Sequence, residues 1–218
     1  MNGAVVLFSG GQDSTTCLYW AKTMFEQVIA INVQYGQRHQ REIESARKIA
    51  LLAGVELVEA EFGAFRPMAH SAMLQGVGSV QDVNKDGLPA TFLPGRNLVL
   101  LALAGSLAYA RGFSNLVAGV CQTDYSGYPD CRSEFINSAR ETICLALDRL
   151  FMVHAPLMWL TKAETVKLAR ALSGCWEGLA LSHTCYEGKH PACGECPACK
   201  LRIKGFLEAG EKDPAVEA

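Results

Sequence analysis

Short apolar runs alternate along the chain with longer stretches in which apolar residues recur every three or four positions. Ala4 to Phe8 is a β-branched run that predicts a strand. It ends in Ser-Gly-Gly-Gln-Asp-Ser, after which Thr15 to Phe25 sets Cys17, Leu18, Ala21, Met24 and Phe25 at helical spacing. Val28 to Val33 predicts a second strand. Arg41 to Ala53 predicts a second helix, with Ile43, Ala46, Ile49, Ala50 and Ala53 on one face and Gly54 as its stop. Val55 to Val58 predicts a third strand.

Residues Gly63 to Pro94 show no sustained period and mix glycines with polar residues, as an inserted lid-like loop does. Regular alternation then resumes. A helix is expected from Leu98 to Arg111, a strand from Leu116 to Val120, a helix capped by Ser133 and running to about Leu150, and a strand from Met152 to Ala155. Thr161-Lys162-Ala163-Glu164 has the spacing of a capping box and opens a helix to about Leu172. Strands alternating with helices predict an α/β fold, a doubly wound parallel sheet that binds ligands beyond its strand C-termini. One domain spanning 1-218 is expected, since α/β domains of this length stand alone around one core.

Composition narrows the class. Half of the 218 residues are hydrophobic, enough for a substantial core. Twenty basic against 22 acidic residues give a net charge of -2, so there is no strong field to gather a nucleic-acid backbone. The start lacks a basic segment ahead of its apolar run, and the longest apolar stretch, Leu98 to Ala110, falls short of a membrane span. A cytoplasmic protein without membrane or nucleic-acid partners is expected; a homodimer is allowed for.

Ser9-Gly10-Gly11-Gln12-Asp13-Ser14 lies between a buried strand and a helix, where backbone amides and the helix dipole favour an anion. The glycines let phosphate oxygens approach, the hydroxyls of Ser9, Ser14 and Thr15 can add hydrogen bonds, and Asp13 can cap the helix or hold magnesium. No lysine follows as in a Walker loop. The bland alternative is a glycine turn.

Nine cysteines are unevenly placed: Cys185, Cys193, Cys196 and Cys199 crowd one segment, 185-199, and five are scattered. An odd total argues against a disulfide framework. Four thiolates close one tetrahedral ion and leave no position for water, so one structural zinc per chain is the expectation. An iron-sulfur cluster or free thiols are the rivals.

The hexapeptide after the first strand resembles the signature of the ATP pyrophosphatase superfamily, the PP-loop proteins with an adenine nucleotide alpha hydrolase-like fold. The resemblance sharpens in FSGGQDSTTCL, YGQRH, FLPGRN, GVCQTDYSGYPDCR, PLMWLTKAET and TCYEGKHPACGECPACKLR. These blocks are similar to the 7-cyano-7-deazaguanine synthase family of queuosine-precursor biosynthesis. That resemblance implies an ATP-dependent ligase that turns 7-carboxy-7-deazaguanine and ammonia into the nitrile through adenylated acid and amide intermediates. It implies ATP with magnesium at Phe8, Ser9, Gly10, Gly11, Gln12, Asp13, Ser14, Thr15, Thr16, Cys17 and Leu18, and zinc at the four clustered cysteines.

Lys162 is placed like a phosphate-contacting lysine of the superfamily, with Asp13 as its catalytic companion and Arg96 as a second cation. Each of the two cations also reads as an ordinary exposed residue. On the substrate side, Asp124 or Asp130 can read a guanine-like edge, Tyr125 or Tyr128 can stack on it, and Arg132 can meet its carboxylate. Gln37, Arg38 and His39 follow the second strand, where they can meet adenine, ribose or ammonia.

Overall fold

The computed structural model describes residues 2–68, 70–74, 78–123 and 127–217. A five-stranded parallel sheet runs in the order β3-β2-β1-β4-β5. Its strands are β1 (Gly3–Leu7), β2 (Gln27–Gln34), β3 (Glu56–Glu61), β4 (Asn115–Val117) and β5 (Met152–His154). The principal helices are α1 (Gln12–Met24), α2 (Arg41–Ala53), α4 (Arg96–Ala110), α5 (Ser133–Leu147), α6 (Lys162–Ala171), α7 (Cys175–Ala180) and α8 (Pro197–Ala209); α3 (Phe65–Met68) and α9 (Pro214–Glu217) are short.

The chain winds from β1 outward to β3, then returns to build β4 and β5 on the other side of β1. The reversal between β1 and β4 splays their following loops apart and leaves a crevice at the strand C-termini. Both sheet faces are covered, which is why β1 is apolar throughout. Val6 packs with Leu18 of α1, Ile49 of α2 and Val166 of α6, while Val5 packs with Leu101 of α4 and Ile143 of α5.

Several boundaries move. Helix α1 begins at Gln12, because Gly11 takes an extended conformation and serves as N-cap, so Gln12, Asp13 and Ser14 are its first turn. Helix α4 starts two residues before Leu98, after Gly95 in the left-handed conformation (φ 72°). Helix α5 stops at Leu147, where Asp148 turns left-handed, and Ser133 is its first residue, not its cap. The capping box forms as expected: Glu164 N donates to Thr161 Oγ1 at 3.2 Å and Thr161 N to Glu164 Oε2 at 2.8 Å. Gly54 ends α2 with φ 65°.

Among the described residues of 63–94 are α3 and the isolated bridges of Leu74 with Gln37 and of Val83 with Pro89. Among the described residues no helix is long and apolar enough to cross a membrane.

Candidate active site and metal centre

The loop after β1 is closed by its own hydroxyls. Ser14 Oγ accepts from the amides of Ser9 (3.3 Å) and Gly10 (3.2 Å), Ser9 Oγ from Gly11 (3.3 Å), and Thr184 Oγ1 from Gln12 (3.4 Å). These are long contacts, at or beyond the upper end of the N–H···O range, so an anion's oxygens can displace the hydroxyls. Gly10 has φ 88°, and a Cβ there would lie 2.4 Å from the carbonyl oxygen of Glu42. Only glycine lets the loop lie so close to α2.

Two adjoining cavities of about 250 and 170 Å³ open beside this loop and share Gln12, Asp13, Arg96, Gly119, Val120, Cys131, Thr184 and Tyr186. Phe8, Ser9, Gly11 and Ser14 line the larger cavity, with Asn32, Tyr35, Gln37, Glu42, Met73 and Asn97. Lys162, Cys121, Tyr128 and Arg202 line the smaller one. Lys162 Nζ lies 2.9 Å from each carboxylate oxygen of Asp13.

Thr15, Thr16, Cys17 and Leu18 line neither cavity. All four are fully buried, and the Thr15 and Thr16 hydroxyls donate to Gly11 O (2.8 Å) and Gln12 O (3.0 Å) inside α1. That half of the motif supports the loop from behind.

Arg96 opens α4 beside three tyrosines. Burial works against its charge, but Tyr35, Asp130, Tyr186 and Tyr128 outweigh it and hold the guanidinium protonated. Glu42 lacks such support: burial pushes its carboxyl up to about 7, against the partial opposition of Arg96.

Of the substrate-side residues, Tyr128 lines the smaller cavity and hydrogen-bonds Thr91. Asp130 is buried and lines neither cavity; its carboxylate accepts from Asn97 N (3.0 Å) and its carbonyl from Asn97 Nδ2 (2.9 Å), so it anchors the start of α4. Arg132 is exposed and outside both cavities. Asp124 and Tyr125 lie outside the described residues. Gln37 faces the larger cavity, whereas Arg38 pairs with Glu187 and His39 packs against His183, away from both.

The sulfur ligand atoms of Cys185, Cys193, Cys196 and Cys199 all lie within 4.8 Å of one another, a cluster that can bind a metal ion. Burial opposes ionisation of Cys193, but the amides of Cys196 and Glu195, at 3.3 and 3.4 Å from its sulfur, bring it down to about 7. Thr184 and Tyr186, the neighbours of Cys185, form cavity wall, and His183 N donates to Gly10 O at 3.0 Å. The metal segment and the loop after β1 are thus one connected structure. Helix α8 continues that segment: Arg202 donates to Ser182 Oγ (2.8 Å) and Thr184 Oγ1 (2.9 Å) and pairs with Asp213.

Sequence reasoning missed Glu42, Thr184, Tyr186 and Arg202 as wall residues. Their positions in the sixth block and beside YGQRH were the available signal.

The parallel sheet, the glycine loop leading from β1 into α1 and the crevice between β1 and β4 define a PP-loop α/β protein. The fold matches NMN synthetase from Francisella tularensis at TM-score 0.53 and 14% identity, over 99% of this chain and 81% of that one. It also matches the NH3-dependent NAD synthetase of Campylobacter jejuni (TM-score 0.51, 16% identity, 78% and 64% covered). The U34-tRNA thiolase NcsA of Methanococcus maripaludis, with its 4Fe-4S cluster, matches at TM-score 0.50 and 15% identity over 78% and 57%.

The family model described as "Queuosine biosynthesis protein QueC" matches residues 3–210. Proteins named 7-cyano-7-deazaguanine synthase are 50% identical in Chromobacterium violaceum, over 98% of this chain and 93% of the relative. They are 48% identical in Bacillus subtilis, over 94% of each. The chain belongs to the QueC family, the 7-cyano-7-deazaguanine synthases.

Proposed function

We propose that the protein converts 7-carboxy-7-deazaguanine and ammonia to 7-cyano-7-deazaguanine through two successive adenylations at one site. The observation that carries this reading is the meeting of the β1 loop, Lys162 and Arg96 where the two cavities join. There the loop amides take the phosphates of ATP, Lys162 offsets the charge of the departing pyrophosphate, and Asp13 holds magnesium beside it.

A carboxylate oxygen attacks the α-phosphorus and releases pyrophosphate. Ammonia then adds to the acyl carbon and AMP leaves with that oxygen, giving the amide. The amide oxygen attacks a second ATP in the same way; loss of AMP and a proton leaves the nitrile. Arg96, shared by both cavities, balances the charge when two anions meet. Tyr128 offers a ring face to the base, and residues 63–94, which bring Met73 to the wall, act as the lid.

The four cysteines fit a single zinc ion. A Zn–S bond of about 2.3 Å sets tetrahedral sulfurs about 3.8 Å apart, and Cys193 and Cys199 are at 3.8 Å. A four-iron cluster binds each thiolate to a different iron and spreads them wider. With four protein ligands the ion is structural. Incubation with acid, ammonium, ATP and magnesium, followed by mass spectrometry, tests the reaction: the nitrile with AMP is expected, and ADP or no nitrile would refute it.

A further inference from the structure

Glu42 stands in the first turn of α2 and its side chain lines the larger cavity. No described amide, hydroxyl or cationic group donates to its carboxylate or pairs with it within 4 Å; Arg96 acts on it only at longer range. A carboxylate partly withdrawn from water without a partner costs free energy. Glu42 is half-buried, and two side chains in the same wall are buried outright, each with an unpaired polar atom. Asn32 is 3% exposed and donates to Phe8 O at 2.8 Å while its Oδ1 goes unpaired, and Gln12 is 2% exposed with an unpaired Nε2. These three polar groups line one open cavity together with apolar Leu7, Ile31, Val33 and Leu101. Apolar walls with a few unsatisfied polar groups are the chemistry of a site for a flat heterocycle.

The acceptor pattern narrows the ligand. A carboxylate takes two adjacent donors side by side, as it takes the two N–H groups of a guanidinium. The pairing edge of adenine sets a donor beside an acceptor and fits poorly. The edge of a 7-deazaguanine, with N1–H next to the 2-amino group, offers two donors, and so does the vicinal diol of a ribose. Resting on the reaction proposed above for its ligands, we infer that Glu42 receives such a paired donor from a bound substrate and sets specificity for it. The deazaguanine edge is the source that Arg96 favours, since a guanidinium in the same cavity answers the carboxylate at the other end of that molecule.

Calorimetry on the full chain with Glu42→Gln separates the sources. The probes are 7-carboxy-7-deazaguanine, its analogue lacking the 2-amino group, ATP and 2′,3′-dideoxy-ATP. Glu42→Gln should bind the acid roughly 10- to 100-fold more weakly, bind ATP as the wild type does, and match the wild type on the deaminated analogue. A loss on ATP that disappears with dideoxy-ATP assigns the donors to the ribose diol. Wild-type affinity for both acid and ATP overturns the inference. So does a loss of binding accompanied by a lower melting temperature at pH 8, because an unpartnered carboxylate does not hold the fold together. Nitrile formation by the wild type reports on the reaction separately: acid binding through Glu42 without nitrile sinks the reaction and leaves this assignment standing.

Discussion

Lys162 grips both oxygens of Asp13 at 2.9 Å across 149 residues of sequence, joining the first turns of α1 and α6 at the mouth of the smaller cavity. The pair keeps each charge compensated until a triphosphate and its magnesium arrive and divide it between them. Lys162→Ala should lower turnover by about 10²- to 10³-fold, the usual cost of removing one group that stabilises developing charge. Asp13→Ala should do comparable damage, with circular dichroism unchanged for both. Near-normal turnover in either variant would remove it from phosphate or magnesium chemistry.

The lysine is held in place by an absence. Gly205 sits inside α8, where a Cβ would come 2.4 Å from Lys162 Cγ and 3.2 Å from its carbonyl carbon. Glycine costs a helix interior about 1 kcal/mol relative to alanine, so its use here goes with the close packing of α6 on α8. Gly205→Ala should weaken ATP binding in the wild type and have no further effect in Lys162→Ala. Additive losses in that double-mutant cycle would mean that Gly205 acts elsewhere.

Metal removal should reach the nucleotide site. Cys185 lies between Thr184, which accepts from Gln12 N, and Tyr186 in the cavity wall, and His183 holds Gly10. Stripping the metal with a chelator, or Cys196→Ser, should weaken ATP binding and increase amide exchange in residues 182–199, because metal binding is coupled to local folding. ATP affinity equal to that of the metal-loaded protein would show that the two sites are independent.

Glu42 gives a pH signature. Burial raises its folded pKa from 4.5 to about 7. Below 4.5 the group is protonated in both states and contributes nothing. As pH rises from 4.5 through 7 the unfolded chain ionises more readily, so stability falls. Arg96 is the charged group that acts on it across the cavity, and Tyr35 and Tyr186, whose own ionisation its charge opposes, stay neutral through this range. Glu42→Gln should therefore match the wild type at pH 4 and exceed it by about 1–3 kcal/mol at pH 8. A variant less stable at pH 8 would mean that the carboxylate has a partner.

Much of this was legible locally. The β-branched run, the glycine pair and the periodic helix gave β1, its loop and α1; Gly54 and the Thr161–Glu164 box marked helix ends; four cysteines marked the metal cluster. Each signal lies within a few residues of what it specifies. The misses depend on distant packing. Asp130 reads as a free loop carboxylate until Asn97 comes beside it. Glu42 stands in a first turn, where the helix dipole favours an acid, and only the fold makes it a half-buried wall residue of the larger cavity. Helix α8 could have been found: Pro197 follows Cys196 directly, at the first helical position that proline prefers.

Two adenylations at one loop dictate where the substrate's oxygens go. With 7-carboxy-7-deazaguanine carrying 18O in both carboxylate positions, each nitrile should be accompanied by two AMP molecules, each with one heavy oxygen, and pyrophosphate should stay unlabelled. The first oxygen leaves when ammonia displaces AMP and the second when the amide is dehydrated. Label appearing in water or inorganic phosphate, or only one labelled AMP per nitrile, would rule out two adenylations.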